Sequence, residues 1–325
     1  MHFVLSEEQQ QIRDAVRSTL AAALPTSRVR QHWAGEETGI GALLADLGVL
    51  GLELPEAEGG MGLGPTWWIG VMEEAGYAAL PYPLIEQLAA LPLLPEVDRV
   101  RGRALAGRVA AGEARVAVGL SGGFVHDADR AELILLIEAA RVARVHKPTR
   151  ELQRGVDGAR RMFRVEGELE WLNLDGRLLF DRAALAASAE QLGAAKRMLE
   201  IAVAYAKARQ QFGKPIGAFQ AVQHQLVDAA LKIAFAAPLV LRAAWSIEHD
   251  DPLRSVHVSM ARHHAIEAAE LAARKALQVH GAIGYTFEYD LHLWMKRAWS
   301  LARAWGDTRF HATRVADHLL EDAHG

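Results

Sequence analysis

Long alanine-rich runs at helical spacing, beginning at residue 183, constrain this chain more than any other feature. RAALAASAEQLGAAKRMLEIAVAYAKAR (residues 182–209) and SVHVSMARHHAIEAAELAARKALQVHG (residues 255–281) place small side chains where helices meet. Such helices can approach one another closely, and antiparallel helices joined by short breaks predict a four-helix bundle at the C-terminal end. Upstream, LSEEQQQIRDAVRSTL opens with Ser6 as an N-cap, acids in the first turn and apolar residues Ile12, Val16 and Leu20 at helical spacing. A second helix is read over GIGALLADLGVLGLELPE, ended by Gly51 and Pro55, and a third over WWIGVMEEAGYAAL, ended at Pro81.

Between these helical blocks the texture changes. RVAVGL, ARVARVH, RMFRVEGEL and RLLFD are short, partly alternating and separated by Gly, Asp and Pro, the pattern of brief strands, whereas AELILLIEAARVAR reads equally as strand or helix. The fold class expected is mainly α with a small β domain. Its boundaries are placed at 1–102 for an N-terminal helical domain, 103–182 for a reduced β domain and 183–325 for the bundle.

Composition narrows the function. The chain has no cysteine, which removes disulfides, thiolate nucleophiles and cysteine-held metals, and its net charge of −4 gives no general pull toward nucleic acid or anionic lipid. The N-terminal MHFVLSEEQQ has none of the regions of a signal peptide, and no apolar run is long enough to span a bilayer; a cytoplasmic protein is expected. His257, His263 and His264 invite a metal reading, but their spacing brings no helical carboxylate to them, and no metal site is assigned. The tryptophans Trp67, Trp68, Trp294, Trp299 and Trp305 either fill cores and subunit contacts or line a bulky apolar ligand.

The stretch ARQQFGKPIGAFQAVQH (residues 208–224) carries more polar groups than a helix end requires. Arg209 offers a fork of donors suited to a pyrophosphate, Phe212 and Phe219 offer flat apolar surface, and Gly213 and Gly217 allow turns that a side chain obstructs. Gln220 both donates and accepts. Alternatively, Arg209 is a helix C-terminal charge and Gly213 a simple stop.

Block order and motifs together resemble the flavin-dependent acyl-CoA dehydrogenase family over nearly the whole chain. LSEEQQQIRDAVRSTL is similar to its first helix, LGVLGLELPEAEGGMGLG to its Pro-Glu-x-x-Gly-Gly turn, and RQQFGKPIGAFQ and QVHGAIGYTFEYDLHLWMKRA to its two flavin segments. The resemblance implies an acyl-CoA dehydrogenase-like fold and FAD as cofactor, contacted by Arg209, Phe212, Ile216, Phe219, Gln220, Gln278 and Gly281. In such relatives these groups reach a flavin held mainly by a neighbouring subunit. Ala282 stands where a second glycine is usual, a departure that crowds the same approach.

The family's base is a glutamate at one of two positions, and by motif spacing these fall on Trp305 and Ala183. Neither accepts a proton; Asp307 and Asp181 are the carboxylates nearby. No Trp-x-Thr-type strand is found between residues 103 and 181. The resemblance then implies a short, non-catalytic subunit that completes the FAD site of a longer acyl-CoA dehydrogenase in an α2β2 heterotetramer, with electrons passing to an electron-transfer flavoprotein. A bulky steroid side-chain acyl-CoA is the favoured substrate. Two alternatives stay open: a self-sufficient homotetrameric dehydrogenase using Asp307, and a flavin-free structural or CoA-binding protein.

Overall fold

The computed structural model describes residues 3–36 and 39–322, with the side chains of residues 321 and 322 left aside. Met1 and His2 of the acidic opening stretch lie outside the described residues. Helix α1 (Glu7–Ala23) starts at the predicted cap: Ser6 Oγ accepts from Gln9 N at 3.2 Å while Ser6 N donates to Gln9 Oε1 at 2.8 Å, a reciprocal capping box. Short helices α2 (Thr26–Trp33) and α3 (Ile40–Asp46) follow. The helix read through Gly51 stops earlier than expected, because Gly48 takes a left-handed φ of 71° and the chain continues only as a 3-10 turn at Val49–Gly51.

Helix α4 (Pro65–Tyr77) runs across the later helix α8 (Gly176–Ala208), and glycines set their approach. A Cβ at Gly76 would overlap the Glu190 carbonyl, and one at Gly193 would overlap the Glu73 carbonyl. Backbones this close need glycine on both sides. Helix α5 (Leu84–Ala90) is buried throughout and is followed by α6 (Leu94–Val97) and α7 (Arg101–Ala110).

The sheet contains β1 (Val116–Leu120), β2 (Val125–His126), β3 (Leu133–Glu138), β4 (Arg141–Gln153) and β5 (Met162–Leu172) in the order β1-β3-β4-β5-β2. The ambiguous AELILLIEAARVAR is therefore strand, with β3 parallel to β1 and antiparallel to β4. The two edge strands β1 and β2 are consecutive in the chain, so the sheet curls: a Cβ at Gly119 of β1 would press on Val125 of β2. A small core of Ala117, Val125, Ile134, Leu136, Val145 and Phe163 fills the curl. On the opposite side, Gln87 of α5 docks to the β1 edge as a strand would, accepting from Val116 N at 2.9 Å and donating to Val116 O at 2.7 Å.

RLLFD, read above as a strand, forms the first turns of α8. Asp175 accepts from the backbone N–H groups of Arg177 and Leu178, which starts the helix and turns Leu179 and Phe180 into the core. A small hairpin, β6 (Gln210–Gln211) and β7 (Lys214–Pro215), connects α8 to α9 (Gln220–Glu248), which is followed by α10 (Arg254–His280), α11 (Leu291–Leu301) and α12 (Thr308–Asp322). Helices α8, α9 and α10 pack pairwise, α11 lies against α8 and α10, and α12 lies against α10. The shared interior is largely alanine, including Ala195, Ala236, Ala243, Ala265, Ala269 and Ala273, as the composition of these segments demands. No helix among the described residues is long and apolar enough to cross a membrane.

Candidate functional site

Two separate regions carry the chemistry. The first is the bundle end where α8 stops, α9 begins and α10 stops. Tyr205 of α8 stacks on His280 of α10 with ring centroids 4.3 Å apart, which brings the two glycine-bearing segments side by side. Arg209 caps α8 with its backbone alone: its N–H donates to Tyr205 O at 2.8 Å and its carbonyl accepts from Ile216 N at 2.8 Å. The guanidinium is left exposed. Phe212 is 92% exposed at a φ of 52°, edge-on to Phe219, whose ring also carries Lys214 Nζ at 4.4 Å. Gly217 lies against the Ala206 carbonyl of α8, Gln220 is the first residue of α9, Gln278 faces outward, and Gly281 ends α10 at a φ of 64°.

An exposed aromatic at positive φ is unfavourable in isolation, because both burial and backbone preference oppose it. A cluster of an arginine fork, two rings, amide side chains and close-approach glycines at one bundle end suits the nucleotide end of a dinucleotide. The predicted set Arg209, Phe212, Ile216, Phe219 and Gln220 lies along one hairpin and helix start, with Gln278 and Gly281 on the adjoining α10 end. All of them stand apart from a mostly apolar cavity on the sheet side of the chain.

That cavity is the second region. It has a volume of about 620 Å³ and is bounded by β1, the β1–β2 turn, the β4–β5 loop, α5 and the end of α11. Trp299 and Trp305 form part of its wall, and Trp305 also belongs with Trp68 and Trp294 to the buried core. Trp305 is 5% exposed, packs edge-on to Phe180 and holds a φ of 57° beside Gly306 at 84°. Two buried groups hold this strained turn. His311 Nε2 donates to the Trp305 carbonyl at 2.8 Å, and Arg262 Nη2 donates to the carbonyls of Leu301 and Ala304.

Each position considered for a base has a structural occupation. Ala183 is fully buried in α8, and the adjacent Arg182 caps the end of α5 through the carbonyls of Ala89 at 2.9 Å and Leu88 at 2.7 Å. Asp307 caps α12, accepting from Phe310 N at 2.9 Å, and pairs with Arg303 at 3.6 Å. Asp181 is fully buried; Ser255 Oγ donates to it at 2.5 Å and Arg314 at 3.1 Å. Burial pushes its carboxyl above the ordinary range despite the Arg314 and Ser255 contacts.

Sequence reasoning missed a carboxylate that does reach the cavity. Glu86, on α5, lines it together with His126 and Arg160. His126 Nδ1 lies 3.4 Å from Glu86 Oε2, and Arg160 Nη2 lies 4.0 Å from Oε1. Burial pushes the Glu86 carboxyl up, but His126 and then Arg160 outweigh it and hold it below its usual value. A base for an acidic carbon needs the reverse, an elevated proton affinity. The available signal was a lone acid in the apolar run PLIEQLAALPLL. Beneath the cavity, Arg297 joins Asp157, Glu190 Oε1 at 2.7 Å and the Leu80 carbonyl at 3.0 Å. Of the histidines considered for metal, His257 pairs with Ser246 Oγ and His263 with the Thr308 carbonyl.

His311 gives a pH prediction. Burial, reinforced by the charges of Arg262 and Arg314, pushes its pKa down to about 3 in the folded protein, against the ordinary value in the unfolded chain. The unfolded state thus binds more protons between the two values, and stability rises with pH there. Its contribution is complete above about pH 6.5, the reference histidine value, and is lost as the solution is acidified toward pH 3. Denaturant midpoints measured across this window should fall with acid, and fall less steeply in His311→Asn.

The descriptions Acyl-CoA dehydrogenase, N-terminal domain, and Acyl-CoA dehydrogenase, C-terminal domain, match residues 6–94 and 173–320. The chain is similar to Acyl-CoA dehydrogenase IpdE2 of Mycobacterium tuberculosis, 33% identical with 97% of this chain and 98% of that protein covered. It is 31% identical to IpdE2 of Mycolicibacterium smegmatis, with 96% and 98% covered. Among solved structures, a steroid acyl-CoA dehydrogenase, the Tcur3481–Tcur3483 G363A variant, matches with a TM-score of 0.89 at 24% identity, covering 99% of this chain and all of that one. The ChsE4–ChsE5 complex of Mycobacterium tuberculosis matches with a TM-score of 0.85 at 21% identity, covering 99% of each chain. The chain belongs to the acyl-CoA dehydrogenase family of FAD-dependent oxidoreductases. Its mainly helical fold with a small sheet is the fold of that family.

Proposed function

We propose that this chain is the non-catalytic subunit of a heteromeric acyl-CoA dehydrogenase, completing a flavin site whose larger part belongs to a longer partner. One observation carries the reading: the Arg209 hairpin and the Gly281 turn face outward at the bundle end, while the cavity of the same chain presents an indole at position 305. Arg209 then holds the pyrophosphate, Phe212 and Phe219 cover the adenosine end, Gln220 and Gln278 bond its polar groups, and Ile216 and Gly281 let the nucleotide approach the main chain. A flavin held there would supply the acceptor for a hydride from the thioester's β carbon, with the base for the α proton supplied by the partner. Trp305 closes this chain's own cavity to that chemistry.

The exposed apolar stripe Val227, Leu231 and Phe235 on α9 supports burial of this face against another subunit. The steroid acyl-CoA dehydrogenase and the ChsE4–ChsE5 complex among the structural neighbours support the reading of an α2β2 assembly acting on a bulky acyl-CoA of the steroid side-chain class, with an electron-transfer flavoprotein as acceptor. Co-expression with the longer dehydrogenase subunit tests it through the flavin content of the purified complex. About one flavin per two chains is expected on this reading. Two per pair supports self-sufficient sites, and none supports a flavin-free role. Asp307→Ala discriminates further: loss of the α12 cap lowers stability by about 1 kcal/mol, and turnover of the complex stays unchanged.

A further inference from the structure

The floor of the 620 Å³ cavity is built from polar groups that nothing in the flavin-completing role uses. The side chains of Glu86, His126 and Arg160 are 1%, 6% and 4% exposed, yet all three line the cavity. Glu86 Oε2 is engaged by His126 Nδ1, while Oε1 stands 4.0 Å from Arg160, beyond hydrogen-bond length. Arg160 directs Nη1 to Ser300 Oγ at 3.2 Å. Above this floor the walls are mostly apolar, with Leu120, Phe124, Val156, Met162, Trp299 and Trp305, and the lining also includes Gln153 and the exposed Arg154 and Arg303. The volume lies in the range of small-molecule sites, roughly 300–1,000 Å³, and such sites combine apolar walls with a few convergent polar groups.

The geometry points to a binding site for a rigid alicyclic or fused-ring alcohol, its ring body against the tryptophan-lined wall and its hydroxyl on Glu86, His126 and Arg160. At the floor, away from the exposed Arg154 and Arg303 of the outer lining, charge selects against the other polar ligands. Glu86 and Arg160 already offset one another, so an added ammonium meets Arg160 and an added carboxylate meets Glu86, each as a like charge. A hydroxyl donates to Glu86 Oε1 and accepts from Arg160 at once. A ketone can only accept, which leaves its oxygen beside the carboxylate, and a ligand that displaces water without replacing its hydrogen bonds loses affinity.

Borneol and camphor share one rigid skeleton and differ as alcohol and ketone. Isothermal titration of the full chain, with no flavin or thioester added, is expected to show borneol binding at least about tenfold more tightly than camphor, the effect of one hydrogen bond to a charged group. Glu86→Gln supplies an amide donor and should erase or reverse that preference. Leu120→Trp fills the cavity without touching the floor and should abolish binding of both, which keeps the test decisive where Glu86→Gln does not fold. Equal affinities in the parent chain, no detectable borneol binding, or undiminished binding in Leu120→Trp would overturn the proposal. Because no cofactor enters the measurement, its failure is distinct from failure of the flavin-completing reading.

Discussion

On the flavin-completing reading proposed above, Arg209→Ala is expected to leave the complex with a longer subunit assembled and to strip most of its flavin. The backbone of Arg209 does the structural work, capping α8 through Tyr205 O and receiving Ile216 N, and alanine preserves both bonds. The side chain is exposed and its loss leaves the packed interior intact. What disappears on that reading is a bidentate, charge-assisted contact to phosphate, about 1.5–3 kcal/mol, or roughly ten- to a hundredfold in flavin affinity. Arg209→Lys should recover part of this, since lysine restores the charge without the planar fork. Flavin retained after exhaustive dialysis, compared with the elution volume of the complex, separates loss of cofactor from loss of assembly.

Arg297→Met is expected to produce the largest loss of stability of any single change outside the alanine interior. Arg297 is buried on α11 and joins Asp157 of the β4–β5 loop, Glu190 of α8 and the Leu80 carbonyl, so one guanidinium ties the sheet, the bundle and the N-terminal helices. Burial opposes its charge, but Asp157 and Glu190 more than offset that and raise its pKa. Methionine fills a similar volume and leaves two buried carboxylates without their cation. Breaking a buried pair this way costs about 3–5 kcal/mol, and a fall of the thermal midpoint on the order of 10 °C should accompany it. Calorimetry of the isolated chain measures this directly, and a change under about 1 kcal/mol contradicts the clamp.

The helical blocks were legible because their signals are local. Ser6 with Gln9 caps α1 within a single turn, and alanine spacing alone marks α8 and α10. AELILLIEAARVAR could not be assigned locally, since an unbroken apolar run suits a buried strand or a buried helix; pairing of Leu133–Ile137 with β1 decided it. RLLFD reads as a strand in sequence but is helical because Asp175, a separator between strands in the sequence, acts as a helix cap once Arg177 and Leu178 turn toward it. Likewise the helical spacing through Gly51 overstates the helix because Gly48 turns left-handed.

Motif chemistry showed the Arg209 hairpin, whose residues are contiguous. The floor of the cavity was invisible for the opposite reason: Glu86, His126 and Arg160 come from α5, β2 and the β4–β5 loop, and no local period links them. Arg297 and Arg262 were hidden in the same way, each reaching partners far away in the chain.

Expressed alone and supplied with excess FAD, the purified chain should remain colourless and leave an acyl-CoA thioester unoxidised; both colour and turnover should appear on mixing with the longer subunit. A yellow protein that reduces its flavin with acyl-CoA in the absence of any second subunit would contradict the assignment.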